Sequence, residues 1–188
     1  MSNNSVIKGF CSLIFAMLLL GACNSRPQEP KVLVFSKTDG FYHESIPEGI
    51  QAITELGKQN DFLVESTENA DMFSEELLKD YSAVIFLNTT GDVLDNNQQA
   101  VFERYIQAGG GFVGIHAAAD TEYDWNWYGK MVGGYFVDHP GINDPHPNVQ
   151  QGDLDVIDRT NPSTSFLPEK WTRTDEWYSY KNLNSEVN

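Results

Sequence analysis

The chain has 188 residues, with 12 Lys plus Arg against 27 Asp plus Glu, a formal net charge of −15 at pH 7. Such a surface repels phosphate backbones, so nucleic acid is excluded as a partner, while a neutral or cationic small ligand or a metal ion is easier to hold. The two cysteines, Cys11 and Cys23, both lie in the N-terminal segment, so the domain behind them has no thiol for nucleophilic catalysis, a disulfide, an Fe–S cluster or a cysteine zinc site.

Residues 1–23 read as a secretory signal. Lys8 precedes an apolar run from Phe10 to Leu20, and Leu20-Gly21-Ala22-Cys23 has the order of a lipoprotein cleavage box. The run is too short to span a bilayer comfortably. Processing would make Cys23 the lipidated first residue, which places the protein in a bacterial cell envelope, facing the periplasm or exterior and touching the membrane through its lipid alone. Residues 24–30 are polar with two prolines and read as a tether. About 165 residues remain, enough for one domain with a sizeable core.

The fold begins at Lys31. Val32 to Phe35 is a compact strand, and after a loop Ser45 and Glu48 stand at capping-box spacing before Ile46, Ile50, Ile53 and Leu56, which recur at helical spacing. Phe62 to Ser66 reads as a second strand, Ser74 as the cap of a short helix, and Ala83 to Leu87 as a third strand. Asp95 with Gln98 makes another capping pair, and the helix behind it stops at Gly109-Gly110-Gly111. Phe112 to Ile115 is then a buried strand that ends at His116. Four strands alternating with helices require crossovers, so the sheet is expected to be parallel with helices on both faces. Beyond Asp120 aromatics crowd Tyr123 to Tyr135, and Asp153 to Ile157 alternates as a half-exposed antiparallel strand would.

In open parallel sheets ligands bind outside the carboxyl ends of the strands. His116 falls at such an end, and Ala117, Ala118 and Ala119 behind it allow the tight strand-to-helix elbow that exposes a reactive side chain. Asp120, four residues on, could orient the ring. The plainer alternative is a buried histidine beside a well-packed strand. The loop after the first strand carries Asp39, Tyr42 and His43, and the loop after the third carries Asn88 and Asp92, so a polar cleft above one sheet edge is expected. His139, held before Pro140 and beside Asp138, is a further candidate; His146, between prolines, reads as a rigid surface turn. Asp175-Glu176-Trp177-Tyr178 pairs carboxylates with aromatic rings, which suits sugar hydroxyls and apolar sugar faces or, equally, a packed aromatic corner. Without a thiol, general acid–base catalysis is one chemistry open to these residues. A divalent metal held by His43, His116 or His139 is the other, although no HxH or HExxH spacing occurs. No glycine-rich phosphate loop is present.

Together KVLVFSKTDGFYHES, GGGFVGIHAAAD, GGYFVDHP and DEWY resemble the trehalose-utilisation, or ThuA-like, family, related in fold to class I glutamine amidotransferases. The resemblance runs over roughly residues 31–184. It implies a flavodoxin-like three-layer α/β sandwich with a mainly parallel sheet and a role in carbohydrate metabolism, acting on sugars or oxidised (3-keto) glycosides. His116 matches the elbow position that holds cysteine in the amidotransferases, so glutaminase activity is not implied. Family members look as if they continue past DEWY through further strands, so residues 31–188 are expected to be a ThuA-like domain truncated at its C-terminus. The expected roles are His116, Asp120, His139 and Glu176 in acid–base catalysis, and His43, Asp39, Tyr42, Asn88, Asp92 and Trp177 in substrate binding. A non-catalytic sugar-binding or partner-binding lipoprotein is the alternative, because a fold does not fix a function.

Overall fold

The structure is a computed structural model that describes residues 29–141, 145 and 147–187. The expected signal, Cys23, residues 24–28 of the tether and His146 lie outside the described residues. In chain order come β1 (Lys31–Phe35), α1 (Ile46–Gln59), β2 (Leu63–Thr67), α2 (Glu75–Leu78), β3 (Ala83–Leu87), α3 (Asn96–Gln107) and β4 (Gly111–Ile115). The four strands form one parallel sheet in the order β2-β1-β3-β4. That is the flavodoxin-like arrangement, and its switch point, where a ligand crevice opens, lies between β1 and β3.

Each central strand is buried on both faces, which is why it reads as an unbroken apolar run. Alternation divides the strand side chains. Leu33, Phe35, Val84 and Phe86 face Phe102 of α3 and Tyr128 of the following helix. Val34, Ile85 and Leu87 face Ile53 and Ile50 of α1 on the other side. A fully buried side chain of this size contributes about 1.5–3 kcal/mol relative to exposure.

The Asp95 capping box forms as its spacing predicts. Asp95 Oδ1 accepts from the backbone N–H of Asn97 at 2.8 Å and Gln98 at 2.9 Å, and Gln98 Oε1 accepts from Asp95 N–H at 2.9 Å. The Ser45 box does not form. Ser45 precedes α1 in a helical conformation without a side-chain cap, and its Oγ accepts instead from Asn88 Nδ2 at 3.0 Å.

After β4 the chain turns through a 3-10 segment, His116–Asp120, into α4 (Asn126–Val132), which Gly133 ends at φ +97° in the left-handed conformation usual for that stop. The C-terminal part is built of two thin strand pairs. β5 (Tyr135–Asp138) pairs antiparallel with β8 (Ser179–Lys181), and β6 (Val149–Asp155) pairs antiparallel with β7 (Lys170–Glu176). The half-exposed strand expected at Asp153 to Ile157 is β6, which starts earlier and stops at Asp155 with an alternating pattern of exposure.

Candidate active site

Leu87 and Ile115 are register partners at the ends of β3 and β4. The next residue on each strand, Asn88 and His116, is bent into the left-handed region, at φ +51° and +52°. Such a conformation costs a non-glycine residue about 1–2 kcal/mol and persists only where the surroundings enforce it. Here they do. Ala117, Ala118 and Ala119 are buried beneath the elbow, the Asn88 N–H donates to Ile115 O at 3.3 Å, and a Cβ on Gly114 would come within 3.2 Å of Ala118 Cβ.

Four further side chains gather at the His116 ring. The His43 ring meets it edge-on, with centroids 4.8 Å apart. The Tyr178 hydroxyl lies 2.8 Å from His116 Nε2, and the two rings are 4.6 Å apart. Glu176 bridges two histidines, with Oε2 3.4 Å from His116 Nε2 and Oε1 3.5 Å from His139 Nε2. Asn148 Nδ2 donates to Glu176 Oε1 at 3.1 Å, and His139 Nδ1 faces the Pro140 carbonyl oxygen at 3.1 Å. Asp138 serves the His139 backbone N–H at 2.9 Å rather than its ring. The cluster opens on a cleft of about 1090 Å³, with Asn88 and Leu87 on one wall and Trp177, Tyr178, Tyr180, Val149 and Leu154 on the other.

The environment pushes the titratable groups apart. Burial lowers His116 below the ordinary histidine value of 6.5, against the opposing pull of Glu176 and Asp175. Burial also lowers His43, aided by His116. Burial and the neighbouring Glu176 carboxylate raise Tyr178 well above an ordinary tyrosine. A tyrosine hydroxyl whose ionisation burial disfavours thus lies against an imidazole that burial biases toward its neutral form. Tyr178 Oη and His116 Nε2 share a hydrogen bond whose direction follows the imidazole tautomer, and Glu176 Oε2 lies 3.4 Å from the same nitrogen.

The other expected residues stand as follows. Asp120 makes no hydrogen bond to His116 among the described residues; its Oδ1 accepts from the Tyr123 hydroxyl at 2.5 Å, and its charge acts on His43. The side chains that do lie within reach of His116 Nε2 are Tyr178 and Glu176. Asp39 and Tyr42 are exposed, and the Asp39 backbone N–H donates to Thr90 O at 2.8 Å. Asp92 lines a separate polar depression with Lys37 and Asp95. Trp177 forms part of the cleft wall and also braces the β6–β7 hairpin, donating from Nε1 to Gln150 O at 2.9 Å. Gly152 is needed beneath it, because a Cβ there would come within 2.9 Å of the indole ring. Sequence reasoning named Tyr178 only within the Asp175–Tyr178 pairing, with no role of its own, and missed Asn148 and Ser45 as site residues; Asn148 had no signal. Among the described residues no group of three His, Asp or Glu side chains is arranged to hold a metal ion.

The profile of one family, ThuA, described as trehalose utilisation, matches residues 31–188. Two crystal structures are similar to this chain. One, described as ThuA-like and from Bacteroides uniformis ATCC 8492, superposes with a TM-score of 0.68 at 27% identity, covering 89% of this chain and 70% of that one. A second, also described as ThuA-like and from Parabacteroides merdae ATCC 43184, gives a TM-score of 0.63 at 18% identity, covering 81% of this chain and 63% of that one, and so bears on the fold alone. No curated protein matches the sequence.

Proposed function

We propose a function on one premise: the chain belongs to the ThuA family, described as trehalose utilisation. It is a carbohydrate-processing enzyme of the cell envelope, tethered by a lipid on Cys23, that moves protons on sugars or oxidised (3-keto) glycosides. The observation that carries this reading is that His116, Glu176 and Tyr178 line one cleft, with His43 against the His116 ring and His139 against Glu176.

Chemistry favours the oxidised substrates. Hydrolysis of an ordinary glycoside calls for two carboxylates flanking the bond; among the described residues Glu176 is the carboxylate that reaches the His116 ring, at 3.4 Å, while Glu48 and Asp175 line the cleft without touching that ring. A ketone at C3 acidifies the neighbouring C2 hydrogen, so a neutral imidazole suffices as base. A substrate that displaces the Tyr178 hydroxyl from His116 Nε2 meets both partners at once. His116 takes the C2 proton, the C1–oxygen bond breaks as the C1–C2 double bond forms, and the departing oxygen takes the Tyr178 proton. The imidazolium then returns its proton to the phenolate beside it, which restores both groups and balances the elimination. Glu176 stabilises the transient imidazolium.

The test compares wild type and His116→Ala on methyl 3-keto-glucoside. Loss of the base lowers the rate by about 10²- to 10⁴-fold, while the melting temperature holds because the ring is 29% exposed. The wild-type rate rises with pH through a midpoint below 6.5, because burial depresses the base. An unchanged rate in His116→Ala removes the acid–base reading. Sugar binding without turnover by wild type points to the binding lipoprotein instead.

A further inference from the structure

The cleft beside His116 is larger than one sugar ring needs. Its volume of about 1090 Å³ exceeds the roughly 300–1,000 Å³ that holds a drug-sized ligand. Its extent can be read along β6. Val149 is the register partner of Glu176 and so stands across the ladder from the reactive end, while Leu154, also on the wall, lies five residues farther on, about 16 Å away at the usual strand rise. Several polar side chains of the lining are already engaged. Ser45 is held by Asn88, Arg173 by Asp175 at 2.6 Å, and Glu176 and Tyr178 by the histidines. The Trp177 indole N–H donates to Gln150 O, which leaves the carbon of its ring for the cleft. Val149, Leu154 and Ile115 add to that apolar surface, with Glu48, Thr174 and Tyr180 among the polar members of the lining. Val149 is 50% exposed. Charge is one-sided, since Glu48, Asp175 and Glu176 line the cleft against Arg173.

We propose that the stretch of this cleft from Val149 to Leu154 is an aglycone site for an uncharged apolar group, so that the substrate class is glycosides of aryl or long alkyl alcohols. The site rests on the acid–base reading of the same cleft. In that reading the departing oxygen takes the Tyr178 proton, so the group it carries leaves from beside Trp177, the adjacent residue, and Val149, which faces Glu176 across the ladder. A second sugar ring brings several donors and acceptors, and against Val149, Leu154 and indole carbon they lose water without gaining a partner. An anionic group meets the surplus of carboxylates. An apolar group instead removes its own surface and that of the wall from water together.

The experiment measures binding of methyl, phenyl and 2-naphthyl β-glucoside, cellobiose and 4-carboxyphenyl β-glucoside to the full chain, using calorimetry or saturation-transfer NMR. These unoxidised ligands report binding alone. Affinity rises from methyl to phenyl to naphthyl, with phenyl about tenfold above methyl, while cellobiose and the carboxyphenyl glucoside stay near methyl. Leu154→Ala shortens the wall and brings the naphthyl-to-phenyl ratio toward one. Val149→Thr is isosteric at a half-exposed position, so the fold holds, and it lowers the phenyl-to-methyl ratio about threefold. Equal affinity for the three aglycones, cellobiose or the carboxyphenyl glucoside binding as tightly as phenyl glucoside, or ratios unchanged in both variants overturns the site. So does wild type that binds none of these ligands. Failure of the acid–base reading is separable: an aglycone preference that depends on Val149 and Leu154, with no turnover of phenyl 3-keto-glucoside, keeps the site and removes the chemistry.

Discussion

The side chains around Phe86 are sealed on both faces of the parallel sheet, whereas no described residue beyond Tyr135 is buried. The site takes three groups from one region and four from the other. His43, Asn88 and His116 come from the sealed half; His139, Asn148, Glu176 and Tyr178 come from the thin one. The division follows from what each group needs. Two side-by-side left-handed residues need surroundings that hold them, and here the ends of the packed sheet supply those surroundings. Glu176 and Tyr178 need only to reach across, and the Tyr178 ring does so by lying against His116 at 4.6 Å, His139 at 5.7 Å and Phe136 at 4.3 Å.

The largest test of this contrast is Phe86→Ala. The Phe86 ring contacts Phe35, Phe73, Phe102, Phe112 and Tyr128, and its truncation should lower unfolding free energy by about 3–5 kcal/mol in a denaturant titration. A smaller loss, about 1–3 kcal/mol, is expected for Glu122→Ala. Glu122 is 1% exposed, its Oε1 accepts the backbone N–H of Val93 at 2.9 Å and Leu94 at 2.7 Å, and its Oε2 accepts from Gln99 at 2.6 Å. The smallest global effect belongs to Trp177→Ala, although it removes a larger side chain than either. Amide exchange should quicken along β6 and β7 while the global unfolding midpoint stays in place. A midpoint shift as large as that of Phe86→Ala would mean the two regions unfold as one unit and would end the comparison.

Most of the sealed half was legible because its signals are local, but Phe112 to Ile115, expected as a buried strand, belongs to the edge strand β4, where Val113 is 46% exposed. Ala83 to Leu87 is a strand at the boundaries read from its apolar run, and the Asp95–Gln98 box forms as its spacing requires. His116 stood out because a strand end followed by small residues has one geometry in such a sheet. Ser45 misled for an equally physical reason. Its spacing to Glu48 is right for a cap, but the hydroxyl has a partner in Asn88, 43 residues away, and sequence spacing carries no trace of that competition. Asp120 misled in the same way: four residues from His116 in sequence, its carboxylate is engaged by Tyr123 instead. Glu176 could be picked out as a carboxylate beside aromatics, but its position between two histidines depends on how β7 lies against the sheet, which is a tertiary fact.

The strain at Asn88 and His116 belongs to the backbone, not to the amide or the imidazole. Glycine would relax either position and a β-branched residue would load it further. The two strand ends therefore act as sockets, in which residues that accept a positive φ can be exchanged while the loops keep their course. Divergence at this edge needs no new scaffold: a single codon change in a socket replaces the working group, and the folded frame carries the new one at once.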